Sequence, residues 1–85
     1  MRIDIPIIWK KVKKLYPCIE MSYISKDIEL YIETIGGEDG FAWGIYIMDN
    51  CIKEYYPTGK SKHKTIKSAK VACELAFKKW LIGGL

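Results

Sequence analysis

Two apolar rhythms divide this chain of 85 residues, and no single element of secondary structure satisfies both. From Ile28 the apolar positions alternate: Ile28, Leu30 and Ile32 point one way, and Glu29, Tyr31 and Glu33 the other. From Ile66 the step changes to three and four residues, through Ala69, Cys73, Ala76 and Trp80, joined by Ala72, Phe77 and Leu81. A period of two belongs to a half-buried strand and a period near 3.6 to a helix, so the chain must lay a helix on a sheet.

The other elements are placed by their punctuation. Asp4 is a good N-cap and Pro6 a good early helix residue. Ile5, Ile8, Trp9, Val12, Leu15 and Tyr16 then share one helical face, with Lys10, Lys11, Lys13 and Lys14 on the other. The spacing predicts a first helix from about Ile5 to Tyr16, ended by Pro17. The stretch Glu20 to Ser25 reads as a short extra strand or as an extended connection. Gly36-Gly37-Glu38-Asp39-Gly40 is a polar hairpin loop, after which Phe41 to Met48 forms a strand with Trp43, Ile45 and Ile47 on one face. Asp49-Asn50 is a two-residue turn into a return strand, Cys51 to Tyr56, stopped by Pro57-Thr58-Gly59. The expected fold is α+β, with a three-stranded antiparallel sheet and N- and C-terminal helices packed on one face, in the order α-β-β-β-α. It forms one domain over residues 1–85.

Composition limits what such a domain can be. An apolar fraction of 49% supports a small core, and no apolar run is long enough to span a membrane. No secretory signal is evident at the N-terminus, so the expected setting is cytoplasmic. Cys18, Cys51 and Cys73 form neither an even disulfide framework nor a Cys-x-x-Cys clip and read as reduced thiols, Cys73 in the core. His63, the one histidine, stands in a lysine-rich loop without a nearby acid and reads as exposed. Glu29 and Glu33 share a strand face, as surface glutamates commonly do. No residues combine into a catalytic set, a metal site or a cofactor fingerprint, and the chain reads as a non-enzyme that uses no cofactor.

Charge is partitioned along the chain. Residues 1–19 and 55–85 are rich in lysine, whereas residues 20–54 hold eight of the ten acids, within a net charge of +4. With both helices on one side, the molecule becomes dipolar: lysines on the helical side, and Glu29, Tyr31, Glu33, Tyr46 and Met48 on the opposite sheet face. Aromatic and methionine side chains are enriched in protein interfaces, so these five residues form the expected protein-binding surface. The expected basic surface comprises Lys60, Lys62, Lys64, Lys67 and Lys70 around the last helix's N-terminus, where unpaired backbone N–H groups favour an anion, with Lys10, Lys13 and Lys14. Val71, Leu75 and Ile82 lie nearly opposite the core stripe of the last helix. They either pack on the first helix or form a partner or dimer groove, which leaves the state as monomer or weak homodimer.

Two resemblances add to this reading. The stretch from Gly59 to Leu81, with Lys67, Ala69-Lys70 and Ala72 in matching places, resembles the closing signature of the double-stranded RNA-binding domain. That family has the same helix, three strands, helix order and implies duplex nucleic acid as a partner. The chain departs from it at Ile66, which occupies a lysine position, and at Glu38-Asp39, which occupy the loop that approaches phosphate. More loosely, Trp43-Gly44-Ile45, Gly59, Thr65 to Lys70 and Trp80-Leu81 are similar to small phage and prophage proteins, including anti-CRISPR inhibitors. That resemblance implies a non-catalytic protein that blocks a host protein or nucleoprotein complex. The leading expectation is such an inhibitor, and the alternative is nucleic-acid binding through the lysine-rich loop.

Overall fold

The computed structural model describes residues 6–14 and 16–83. The elements are β1 (Lys10–Lys11), β2 (Cys18–Ser25), β3 (Ile28–Thr34), β4 (Phe41–Ile47), β5 (Asn50–Tyr55) and α1 (Ile66–Gly83). Each strand pairs antiparallel with the next, giving a meander in the order β1-β2-β3-β4-β5. The fold is α+β, but a five-stranded sheet with one C-terminal helix replaces the expected three strands between two helices.

The first helix is the main correction. Residues 6–9 run extended into β1, where Lys10 lies opposite Met21 and Lys11 opposite Glu20. The apolar residues here also satisfy a period of two: Ile7 and Trp9 are half-buried against the core while Ile8 stays 68% exposed. Tyr16, placed on the same helical stripe, is 76% exposed. Three β-branched residues among Ile7, Ile8 and Val12 favour the extended form. The indole of Trp9 then fixes it by donating to Glu74 Oε2 at 2.9 Å, across to α1. Asp4, Ile5 and Leu15, which served as cap and stripe of that helix, lie outside the described residues.

With that helix gone, Glu20 to Ser25 is resolved as the body of β2, paired along its length with β3 and with β1 at Glu20 and Met21. The β4–β5 turn falls one residue earlier than expected. Met48 and Asp49 are its two central residues, with φ of 52° and 66°, as a type I′ hairpin requires.

One face of the sheet carries the core. Leu30, Ile32, Trp43 and Ile45 from β3 and β4 meet Ala69, Cys73, Ala76 and Phe77 from α1. The small residues at 69, 73 and 76 let the helix approach so closely that the Cys73 thiol reaches the Gly44 carbonyl at 3.6 Å. Thr65 caps the helix, its Oγ1 accepting from the Ser68 N–H at 3.1 Å. On the β2 side, Lys70 forms a 2.6 Å ion pair with the largely buried Glu20 and lies over the Trp9 ring at 5.7 Å. On the β5 side no described element leans against α1. Val71, Leu75 and Ile82 remain half exposed, since the helix they were expected to meet does not form.

Full burial of an Ile, Leu or Phe side chain contributes roughly 1.5–3 kcal/mol, so the sheet–helix layer dominates stability. Ile32→Ala should cost about 2–5 kcal/mol in urea denaturation, whereas Ile8→Ser should stay within about 0.5 kcal/mol of the parent. A helical N-terminus would make Ile8→Ser costly too.

Candidate functional site

The sheet face away from α1 is covered by no described element, and it gathers most of the expected protein-binding residues. Because β3 alternates, Glu29, Tyr31 and Glu33 all project there, and the β3–β4 register sets Tyr46 opposite Glu29 and Gly44 opposite Tyr31. Glu29, Tyr31, Glu33 and Tyr46 line one shallow concavity of about 210 Å³ together with Cys18 and Met21 from β2. Met48 is the exception, because it sits in the β4–β5 turn, 69% exposed, and does not line the concavity.

Tyr31 is the centre of this surface, and Gly44 makes room for it. A Cβ at residue 44 would overlap the Tyr31 ring. With only hydrogen there, the ring lies flat across β4, is 8% exposed, and meets Tyr46 edge to face at 5.3 Å. Its hydroxyl donates to Glu54 Oε2 at 3.4 Å on β5. Burial drives the Tyr31 hydroxyl pKa far above its ordinary value, with Tyr46 and Glu33 adding to the effect, so it remains a neutral donor.

The carboxylates surround this aromatic centre. Glu33 has its pKa raised, first by burial and then by repulsion from Glu54. Burial, then the Glu33 charge, likewise raises the Cys18 thiol, and burial, then Glu54, raises Cys51. Both thiols are therefore poor nucleophiles at neutral pH. Cys73, in the core, is pushed up to about 12 by burial, with Glu74 assisting. Chemically the face offers negative charge and two tyrosine rings with no cation among the residues lining it, a surface suited to basic side chains.

The expected basic surface is only partly assembled. Lys60, Lys62 and Lys64 project outward, because Ser61 and His63 between them turn inward. Ser61 Oγ donates to the Phe41 carbonyl at 2.7 Å, and the Phe41 N–H donates to the His63 carbonyl at 3.0 Å. His63 is thus buried, not the exposed loop residue expected, with Nδ1 2.7 Å from Ser68 Oγ and its ring edge-on to Tyr55 at 5.1 Å. Its pKa is lowered, by burial first and by Lys62 second, which keeps it neutral. Gly40 permits this closure: its φ is 102°, and a Cβ there would stand 2.6 Å from the His63 carbonyl oxygen.

Lys67 is exposed in the first turn of α1, near this loop, but Lys70 is committed to Glu20 and Trp9. Lys10 lies on β1, at the opposite edge of the sheet from β5. Lys13 and Lys14 lie in the β1–β2 connection, at the loop's end of the sheet, with Glu38 and Asp39 of the β3–β4 connection on that same end. Among the described residues no helix precedes the sheet, so Lys10, Lys13 and Lys14 are not carried on a helix beside α1.

Met21, Cys18, Glu54 and Gly44 escaped the sequence reading. Gly44 did carry a signal, since glycine inside a strand marks a close approach by another group. Met21 and Tyr23 alternate like a strand, but their partner strands could not be named while residues 5–16 read as a helix. Among the described residues no three His, Cys, Asp or Glu side chains gather where they could hold a metal ion, and no helix is long and apolar enough to cross a membrane. No protein-family model, curated protein or solved structure matches the chain.

Two measurements check this geometry. Gly44→Ala should expel the Tyr31 ring and destabilise the protein by about 1–3 kcal/mol, with most of that loss absent when Tyr31→Ala is already in place. For Glu33, the raised native pKa means the native state holds its proton more tightly than the unfolded chain does. Stability therefore falls as pH rises from the ordinary glutamate value through the native one. Glu33→Gln should be more stable than the parent at neutral pH, and the difference should vanish below the ordinary glutamate pKa when unfolding is followed across pH.

Proposed function

We propose that this protein is a non-catalytic binding protein whose uncovered acidic and aromatic sheet face docks on a basic macromolecular partner, and that it acts by occupying that partner. The observation that carries the reading is the convergence of Glu29, Tyr31, Glu33 and Tyr46, from two strands, on one concavity that no described element fills. Burying Glu33 beside the Glu54 charge opposes folding, and a basic side chain from a partner relieves that repulsion. The partner's chemistry is therefore cationic: an arginine- or lysine-rich surface such as proteins that handle nucleic acid present. Blocking a host protein or nucleoprotein complex, as the loose similarity to small phage inhibitors suggests, is the form this function takes.

A second reading rests on a different observation. The inward turn of Ser61 and His63 leaves Lys60 and Lys64 exposed beside the N-terminus of α1, with Lys62 over the Tyr55 ring at 5.1 Å, a cluster of positive charge suited to a phosphate backbone.

A photo-crosslinking amino acid separates the two. Placed at Tyr23, which is 54% exposed and lies beside Glu29, it should capture a discrete protein in host cells, and capture should survive nuclease. Glu29→Lys with Glu33→Gln should abolish it. The same probe at Lys64 reports the second reading, through nuclease-sensitive adducts to nucleic acid. Adducts at Lys64 alone, or at neither site, would remove the sheet face from consideration.

A further inference from the structure

The opposite side of the molecule carries a second recess that the acidic face does not explain. Between α1 and the edge strand β5 runs a cleft of about 380 Å³. Its floor is Trp43 of β4 stacked on Tyr55 of β5, with ring centroids 6.4 Å apart, and its helical wall is formed by Ala72, Leu75 and Ala76. Leu75 remains 54% exposed there. The cleft exists because α1 packs over β3 and β4 and does not extend across β5, whose Tyr55 is covered instead by Trp43 and by the Lys62–His63 loop.

Three features say what the cleft takes. Its cations are Lys53, Lys62 and Lys79, and its single acid, Glu54, turns to Tyr31 on the other face of the sheet. The rim is therefore positive over an apolar floor. β5 is the last strand of the sheet and pairs only with β4 among the described residues, so the N–H and C=O groups of its outer edge are a template for another strand. The indole N–H of Trp43 is buried without an acceptor among the described residues. Such an orphan donor costs free energy that an incoming acceptor can remove.

We infer that this cleft binds an extended acidic segment of a partner protein, which adds as a strand to the free edge of β5, sets an apolar side chain over Trp43 and Tyr55 beside Leu75, and pairs its carboxylates with Lys53, Lys62 and Lys79. Strand addition at a sheet edge beside a helix supplies affinity through the main chain and selectivity through alternate side chains. A second copy of this chain is disfavoured. A two-fold pairing of β5 edges sets both lysine rims on the same side of the joined sheet, where like charges oppose each other.

The test is a selection of displayed random dodecapeptides on the intact protein, followed by amide and indole NMR titration with the best enriched peptide. Enriched sequences should be acidic with apolar residues at alternate positions, and the titration should shift the amides of Asn50–Tyr55 and the Trp43 indole N–H while leaving Tyr23 and Glu29 unmoved. Lys53→Glu with Lys79→Glu, both at exposed positions, should weaken that peptide by about fivefold or more with the fold intact by circular dichroism. The proposal is overturned if no peptide is enriched, if the enriched peptides are basic, or if the shifts map to the acidic face. It is equally overturned if the free protein sediments as a dimer with its β5 amides broadened by dilution-dependent exchange. Because the readouts lie on opposite faces, failure here leaves capture at Tyr23 standing, and the reverse also holds.

Discussion

The whole arrangement hangs on one packing contact: a single helix pressed on the middle of a five-stranded sheet through small residues. Ala69, Cys73 and Ala76 bring α1 close enough to bury Leu30, Ile32 and Ile45 completely, with Phe77 as the large side chain of the layer. One helix covers about two strands. A meander of five therefore has helix-side surface left over; Ile7 and Trp9 fill the β2 flank, and Tyr55 fills the β5 flank only in part. The rest of the β5 flank stays open, and so does the entire reverse face. Both recesses are what remains when a sheet is wider than the element that covers it.

The reverse face shows how a solvent-side surface can be ordered without a second layer. Tyr31 lies in the slot that Gly44 leaves, braced by Tyr46 and held at its tip by Glu54. The carboxylates around it are held close to one another and to the rings at some cost to folding. A surface that merely solvates the sheet has no need of such an arrangement, because exposed charges contribute little to stability either way.

How much of this was legible depended on where the two periodicities compete. The alternation in Ile28 to Ile32 and in Trp43 to Ile47 has no helical solution, and both strands were placed closely. Thr65 to Leu81 has no strand solution, and the helix follows it. Residues 5–16 fit a helical stripe in the sequence, and there the extended form is favoured by β-branched residues and held by one distant partner, Glu74, which the sequence does not mark as belonging to Trp9. That single ambiguity removed two strands from the expected fold. The acidic face was still found, since a period of two in β3 decides it regardless of neighbours, whereas the cleft at β5 needs the position of α1 over the sheet and was invisible. His63 misled for a related reason: its lysine neighbours announce exposure, but alternate residues of an extended loop point oppositely, and Ser61 and His63 take the inward side.

The bridge from Trp9 to Glu74 joins positions 65 residues apart in sequence, while every strand pairs with its nearest predecessor. The hairpins can therefore assemble from short-range encounters, and Trp9 and Glu74 meet last. Once docked, the leading segment and the helix share one clasp with the Glu20 and Lys70 pair, so loosening either end loosens the other. Amide exchange in the two should then proceed as one cooperative opening unit, distinct from the slower central hairpin of β3 and β4.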